Sequence, residues 1–226
     1  MRSPERFARV AQMKVAFLLQ DTRTLYGAEQ ATVRLIEGLV AAGISVQTIL
    51  LQETRLGTGG SPLAEALRRC VPLTEIPVRG RFSRSAIGQI REIVARDRID
   101  VLHSTGYKAD AHAVLASKCS ALFPVVSTVH GWLFRWDWKE RLFQALNVAA
   151  LRRFSRVIVL CGFYERYLRR CGLSPLQIAQ IPTGIRAEAV VSRAEARQLW
   201  EAPGEVFTFG LLGRLSEEKN HALLLR

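Results

Sequence analysis

The sequence predicts an α/β fold, a doubly wound parallel sheet covered by helices on both faces, followed by the start of a second domain. Three observations carry this. Short apolar runs alternate with stretches of helical periodicity along most of the 226 residues. Glycine and proline punctuate the junctions between them. The alternation is regular, and strand–helix alternation of that kind builds a parallel sheet with right-handed crossovers.

The elements follow in order. Lys14–Leu19 reads as the first strand. Gly27–Ala42 reads as a helix with Ala31, Leu35, Leu39 and Val40 on one face and Gly43 as its stop. Val46–Leu51 is the next strand, and residues 57–62 form a glycine-rich loop. A short helix over Leu63–Arg69 leads to a strand over Leu73–Val78. Ser85–Arg96 is a helix with Ile87, Ile90, Ile93 and Val94 inward. A strand over Asp100–His103, a helix over Tyr107–Ser120 and a strand over Pro124–Val129 come next. Trp138–Arg153 is a long helix, Arg156–Leu160 a strand, Tyr164–Cys171 a helix and Ile178–Ile181 a last strand.

Pro182-Thr-Gly184 breaks the pattern. The predicted organisation is a loose tail over 1–12, one domain over 13–185, a linker over 186–204 and the first strand, turn and helix of a second domain over 205–226. Within that last segment Val206–Leu212 reads as a strand. It is expected to pack irregularly, to be disordered or to drive association, because its sheet neighbours are not in the sequence.

Composition narrows the class. Hydrophobic residues make up 49% and charged residues 23%, as in a globular protein with a sizeable core. Lys and Arg exceed Asp and Glu by 32 − 20 = 12. So positive a field favours anionic partners such as phosphates or an anionic membrane surface. Nucleic acid is not expected, because the cations are spread over many helices and no binding motif is present. Cys70, Cys119, Cys161 and Cys171 show no metal spacing, and Cys119 and Cys161 adjoin apolar runs as buried thiols would. A reducing, cytoplasmic location follows, with a peripheral place on the inner face of the membrane as a further expectation. No apolar run reaches the ~18 residues of a membrane span.

Ligands of a doubly wound sheet bind at the carboxyl ends of its strands. After the first strand, Tyr26-Gly27-Ala28-Glu29 opens a helix whose unpaired N–H groups suit an anion, with Gly27 permitting either close approach or merely the turn. After the fourth, His103 stands at the strand end, Gly106 makes the turn, and Tyr107 and Lys108 enter the next helix. Lys108 there either meets an anion or pairs with a nearby acid. After the fifth, His130-Gly131-Trp132 offers an imidazole that can bond a sugar hydroxyl or a phosphate oxygen. Aromatic residues 132, 134, 136 and 138 alternate around Arg135, a pattern suited to a membrane interface or a hydrophobic acceptor. Of these, Trp138, with Phe143, is expected in the core. Gly213-Arg214 and Lys219 place two cations at a helix start, suited to a diphosphate.

Six segments occur together in order: Tyr26-Gly-Ala-Glu29; Asp100-Val-Leu-His103 with Gly106-Tyr-Lys-Ala-Asp110; Thr128-Val-His-Gly131; Arg156-Val-Ile-Val-Leu160; Ile181-Pro-Thr-Gly-Ile185; and Gly213-Arg-Leu-Ser-Glu-Glu-Lys219. In this the chain resembles the family 4 glycosyltransferases across residues 13–226. The resemblance implies the GT-B fold of two Rossmann-like domains, with an acceptor held by the first and a nucleotide-sugar donor (a UDP- or GDP-sugar) by the second. It implies retention of anomeric configuration without a metal or other cofactor. It implies His130 as the catalytic residue facing the transferring sugar, with Gly27, Arg214 and Lys219 at the donor phosphates. Tyr26, Glu29, His103, Tyr107, Lys108 and Trp132 are the candidate acceptor contacts, the acceptor being a glycan or a lipid-linked molecule. The chain departs from the family pattern at Tyr26, Thr105, Cys161, Thr183 and Arg186. The expectation is a glycosyltransferase's amino-terminal domain with a truncated second domain, inactive as the isolated chain. The alternative is a non-catalytic module that docks to an anionic membrane or to a complementing donor-domain chain.

Overall fold

The structure is a computed structural model. It describes residues 13–225 apart from 58–59, 119–122, 133–137, 185–190, 202–206, 214 and 216–218. The chain divides into two units, Met1–Gly184 and Ile185–Arg226.

The first unit is a single parallel sheet of seven strands: β1 (Lys14–Gln20), β2 (Ser45–Glu53), β3 (Leu73–Val78), β4 (Val101–Thr105), β5 (Val125–Val129), β6 (Arg156–Val159) and β7 (Ile178–Gln180). Their order is β3-β2-β1-β4-β5-β6-β7, every neighbouring pair parallel. Between them run α1 (Gly27–Ala41), α2 (Pro62–Cys70), α3 (Arg84–Arg96), α4 (Tyr107–Lys118), α5 (Trp138–Leu151) and α6 (Gly162–Arg170). The chain order reverses between β1 and β4, so the crevice at their carboxyl ends is the switch point where such sheets hold ligands.

Strand alternation divides the core. Val15, Phe17 and Leu19 of β1 face α1 and α2, where Val33, Ile36, Leu63 and Leu67 bury them. Ala16 and Leu18 face the other way, into the layer of α3, α4, α5 and α6. Two helix starts are fixed by serine caps: Ser61 Oγ accepts from Ala64 N at 3.0 Å and Ser83 Oγ from Ala86 N at 3.2 Å.

Several sequence expectations are corrected here. The buried stripe of α1 is Thr32, Val33 and Ile36, while Leu35 and Val40 are exposed. The helix is rotated so that Thr32 reaches toward β5. Trp138 is 68% exposed and Phe143 half-buried, whereas Trp132 is 6% exposed. At about 100° per residue Trp138 lies opposite Asn147, which is on the buried side of α5. Cys161 is exposed at the start of α6, on the rim of the sheet, and not in the core. Cys119 lies outside the described residues.

The second unit holds two short helices, α7 (Arg193–Leu199) and α8 (His221–Leu224). Residues 207–212 form no strand, and Phe207, Phe209 and Leu212 are exposed. A strand needs a partner for its backbone groups, and none of the described residues of this unit supplies one. Among the described residues no helix is long and apolar enough to cross a membrane.

Candidate active site

A cavity of about 220 Å³ opens at the carboxyl ends of β1, β4 and β5. Three chain segments converge on it: Ala28, Glu29 and Thr32 from the start of α1, Thr105–Tyr107 at the β4–α4 turn, and Thr128–Trp132 after β5.

The β5 segment is held from both sides. Gly131 has φ +136°, and a Cβ there would stand 2.7 Å from Tyr164 Oη, so the turn needs glycine. Tyr164 Oη accepts from Trp132 N at 3.3 Å, and the two rings meet edge-on at 5.4 Å. Trp132 Nε1 donates to Asn147 Oδ1 at 3.2 Å, and Asn147 Nδ2 donates to Asp110 Oδ2 at 2.8 Å. Asp110 Oδ1 accepts from Ser104 Oγ at 2.6 Å and Ser127 Oγ at 2.9 Å. One buried carboxylate thereby ties β4, β5, α4 and α5 together. Burial pushes the Asp110 carboxyl above its ordinary range, against the hydrogen bonds from Ser104, Asn147 and Ser127.

His130 lies over α1. Its Nε2 is 3.5 Å from Thr32 Oγ1, while the Thr32 hydroxyl donates to Ala28 O at 2.9 Å. With that proton committed, Thr32 can only accept from the imidazole. The contact is at the long limit of a hydrogen bond, so a closer oxygen in the cavity would outcompete it. Burial pushes the His130 pKa down, partly offset by the Glu29 carboxylate, so the ring is neutral at pH 7.

Glu29 serves its own helix: Oε2 accepts from Tyr26 N and Oε1 from Thr22 Oγ1, both at 3.1 Å. Tyr26 is 49% exposed at the head of α1. Gly27 has no left-handed φ, and a Cβ there would meet nothing within 4 Å. Neither backbone nor packing demands glycine at that position. Gly106, at φ +94°, is required by its turn.

Two sequence expectations change. β4 runs on to Thr105, so His103 is a mid-strand residue, 6% exposed, and not at the strand end. Its ring stacks on Phe17 at 4.6 Å and its Nε2 lies 2.8 Å from Thr128 Oγ1. Burial first, and the nearby His130 second, bring its pKa down to about 4. Lys108 turns away from the cavity and pairs with Glu53 Oε1 at 2.8 Å, the nearby acid being at the end of β2. The cavity brings together Glu29, Tyr107, His130 and Trp132; Tyr26, Gly27, His103 and Lys108 are not among its lining residues. Arg214 lies outside the described residues. Lys219 is exposed in the second unit, its chain 3.5 Å from where a Gly213 Cβ would stand. Asp110 and Thr128 lie within the segments that carry the family resemblance, which give them no role, and Thr32 and Asn147 carry no sequence signal. Among the described residues no cluster of His, Cys, Asp and Glu is placed to hold a metal ion.

A parallel sheet with its cavity at the switch point is a doubly wound, Rossmann-like domain. Residues 26–184 match the model of the glycosyl transferase 4-like domain. The chain belongs to that family. Solved structures agree in fold: Anabaena HepE in complex with UDP (TM-score 0.63, 15% identity) is matched over 84% of this chain and 49% of its own. A glycosyltransferase from Rickettsia africae (0.61, 15%) is matched over 86% and 51%. The lipopolysaccharide outer core galactosyltransferase WaaB (0.57, 12%) is matched over 79% and 48%. The chain thus spans about half the length of these solved structures. No curated protein matches it.

Proposed function

We propose that this chain is the acceptor-side domain of a retaining glycosyltransferase that moves a hexose from a UDP- or GDP-sugar to a glycan or lipid-linked acceptor. The observation that carries the reading is the cavity at the switch point, where His130 is neutral and its weak tie to Thr32 is exchangeable. The family match over 26–184 and the UDP and UDP-glucose complexes of HepE support the donor class.

In this reading the neutral imidazole of His130 bonds a hydroxyl of the transferring sugar without adding charge. The helix start at Gly27 receives phosphate or sugar oxygen on its free N–H groups. Gly27 is fitted for that by leaving open a space no part of the protein needs. Tyr26, Glu29, Tyr107 and Trp132 border the acceptor. Arg214 and Lys219 meet the charge that develops on the departing diphosphate, in place of a metal ion. Both substrates must be held together for transfer, so the 226-residue polypeptide alone shows no useful turnover.

The test has two arms. Product detection by mass spectrometry with a panel of UDP- and GDP-sugars is expected to find no transfer by the isolated chain, and clear turnover would refute its inactivity. Titration with oligosaccharide and lipid-linked acceptors is expected to shift the His130 imidazole resonances and leave those of His103 in place. A set of acceptors that leaves His130 unmoved would overturn the assignment of the site.

A further inference from the structure

We infer that the outward face of α5, with the loop of residues 79–84 beside it, is a docking surface for an anionic lipid bilayer. The inference goes beyond the sugar-transfer reading and does not rest on it.

α5 has two faces. Gln144, Asn147, Val148, Ala150 and Leu151 form its buried side. Trp138, Leu142 and Leu146 recur at four-residue spacing on the other and are 68%, 49% and 54% exposed. A helix already packed through its inner side has no folding reason for a second apolar ridge. A contiguous ridge, unlike scattered apolar residues, marks an interaction site.

Cations frame it. Lys139 and Arg141 are exposed on opposite flanks, with Lys139 Nζ 5.7 Å from the Trp138 ring centre. Glu140 turns inward, with its Oε2 buried. The loop Arg79-Gly-Arg-Phe-Ser-Arg84 adds three more exposed arginines, and the fold fastens it beside the helix. Arg81 lies over the Phe143 ring at 4.7 Å, Ser83 N donates to His112 Nε2 at 3.3 Å, and Phe82 stacks on His112 at 6.1 Å. Phe82 remains 61% exposed.

Charge complementarity selects the occupant. The exposed charges that flank the ridge, Arg79, Arg81, Arg84, Lys139 and Arg141, all have one sign, while Glu140 is turned inward. A headgroup layer offers both environments at once: acyl boundary for Trp138, Leu142, Leu146 and Phe82, and phosphates for the cations. The net charge of +12 draws the chain toward such a surface.

The experiment is co-sedimentation of the 226-residue chain with phosphatidylcholine vesicles, with and without phosphatidylglycerol, at low and high salt. Binding to the anionic vesicles, weakened by salt, is expected. The variant L142E/L146E lies on the solvent side, retains the circular dichroism of the parent, and binds at least about tenfold less. Arg79→Gln with Arg84→Gln, outside α5, weakens binding about fivefold per cation removed. Equal binding to neutral vesicles, or undiminished binding of both variants, overturns the proposal. So does an α5-dependent dimer in sedimentation equilibrium, which would make a second copy the occupant.

Discussion

Lys108 Nζ lies 2.8 Å from Glu53 Oε1, with both side chains buried, so the cation that opens α4 is committed to the end of β2. Glu53 also accepts from Gln20 Nε2 at 2.9 Å and pairs with Arg55. Removing Lys108 would leave the carboxylate with weaker company.

Lys108→Met is therefore expected to destabilise the fold by about 3 kcal/mol, the low end for breaking a buried pair, because Arg55 remains. Burial raises the Glu53 pKa, but hydrogen bonds and charge from Lys108 and Arg55 outweigh it and leave the net value lowered. A lowered carboxylate contributes its stability above the unfolded value of about 4.3 and loses it as pH falls through the folded value. Urea unfolding at pH 7 and in acid checks this: the gap between parent and variant should close as the acid is titrated.

His103 loses stability in the same direction, as pH falls, but at higher pH. Its folded pKa is about 4. Above the unfolded value of about 6.5 the group costs nothing; between there and pH 4 the unfolded state binds the proton first, removing on the order of 3 kcal/mol. His103→Phe is expected to flatten that decline, and the His103 ring in the parent should remain neutral at pH 5 by NMR. An equal decline in both proteins would contradict the burial of this ring.

The buried chain Trp132–Asn147–Asp110 has a fixed sense. The indole only donates, so Asn147 must turn Oδ1 to Trp132 and Nδ2 to Asp110. Asn147→Leu leaves a buried carboxylate oxygen and the indole N–H both without partners, at a cost of about 1–3 kcal/mol each. Trp132→Phe leaves only the Asn147 Oδ1 without its donor. Chemical denaturation should rank Asn147→Leu as the more damaging.

Gly131→Ala brings a Cβ to 2.7 Å from Tyr164 Oη at a backbone φ of +136°. The clash and the backbone strain are separable. Tyr164→Phe removes the 2.7 Å contact, keeps Cζ at 3.3 Å and leaves the strain, about 1–3 kcal/mol. A double-mutant cycle by thermal unfolding is expected to show the alanine costing less in the phenylalanine background.

Gly27→Ala separates structure from function most directly. With open space at its Cβ and an ordinary φ, the substitution should leave stability unchanged or raise it slightly. A large loss of stability would return Gly27 to a structural role.

What the sequence by itself determined was local. Alternating apolar and helical periods place seven parallel strands, most within a residue or two of where they lie, because burial on both faces of a sheet leaves a mark on each short segment. The same marks, read with the motifs, identify the family and the strand ends that border the cavity. Tertiary structure decided which polar residues at those ends belong to it. His103 and His130 look alike in sequence, yet one is stacked under Phe17 in mid-strand and the other stands beyond the strand end over α1. Lys108 finds Glu53, and Asn147 finds Asp110, across large stretches of chain that no periodicity links. Trp132 and Trp138 exchange their expected places because Asn147, bonded to Trp132 and Asp110, lies on the buried side of α5 with Val148 and Leu151, which leaves Trp138 facing outward. Side-chain direction depends on packing between elements, and that is information a linear pattern does not hold.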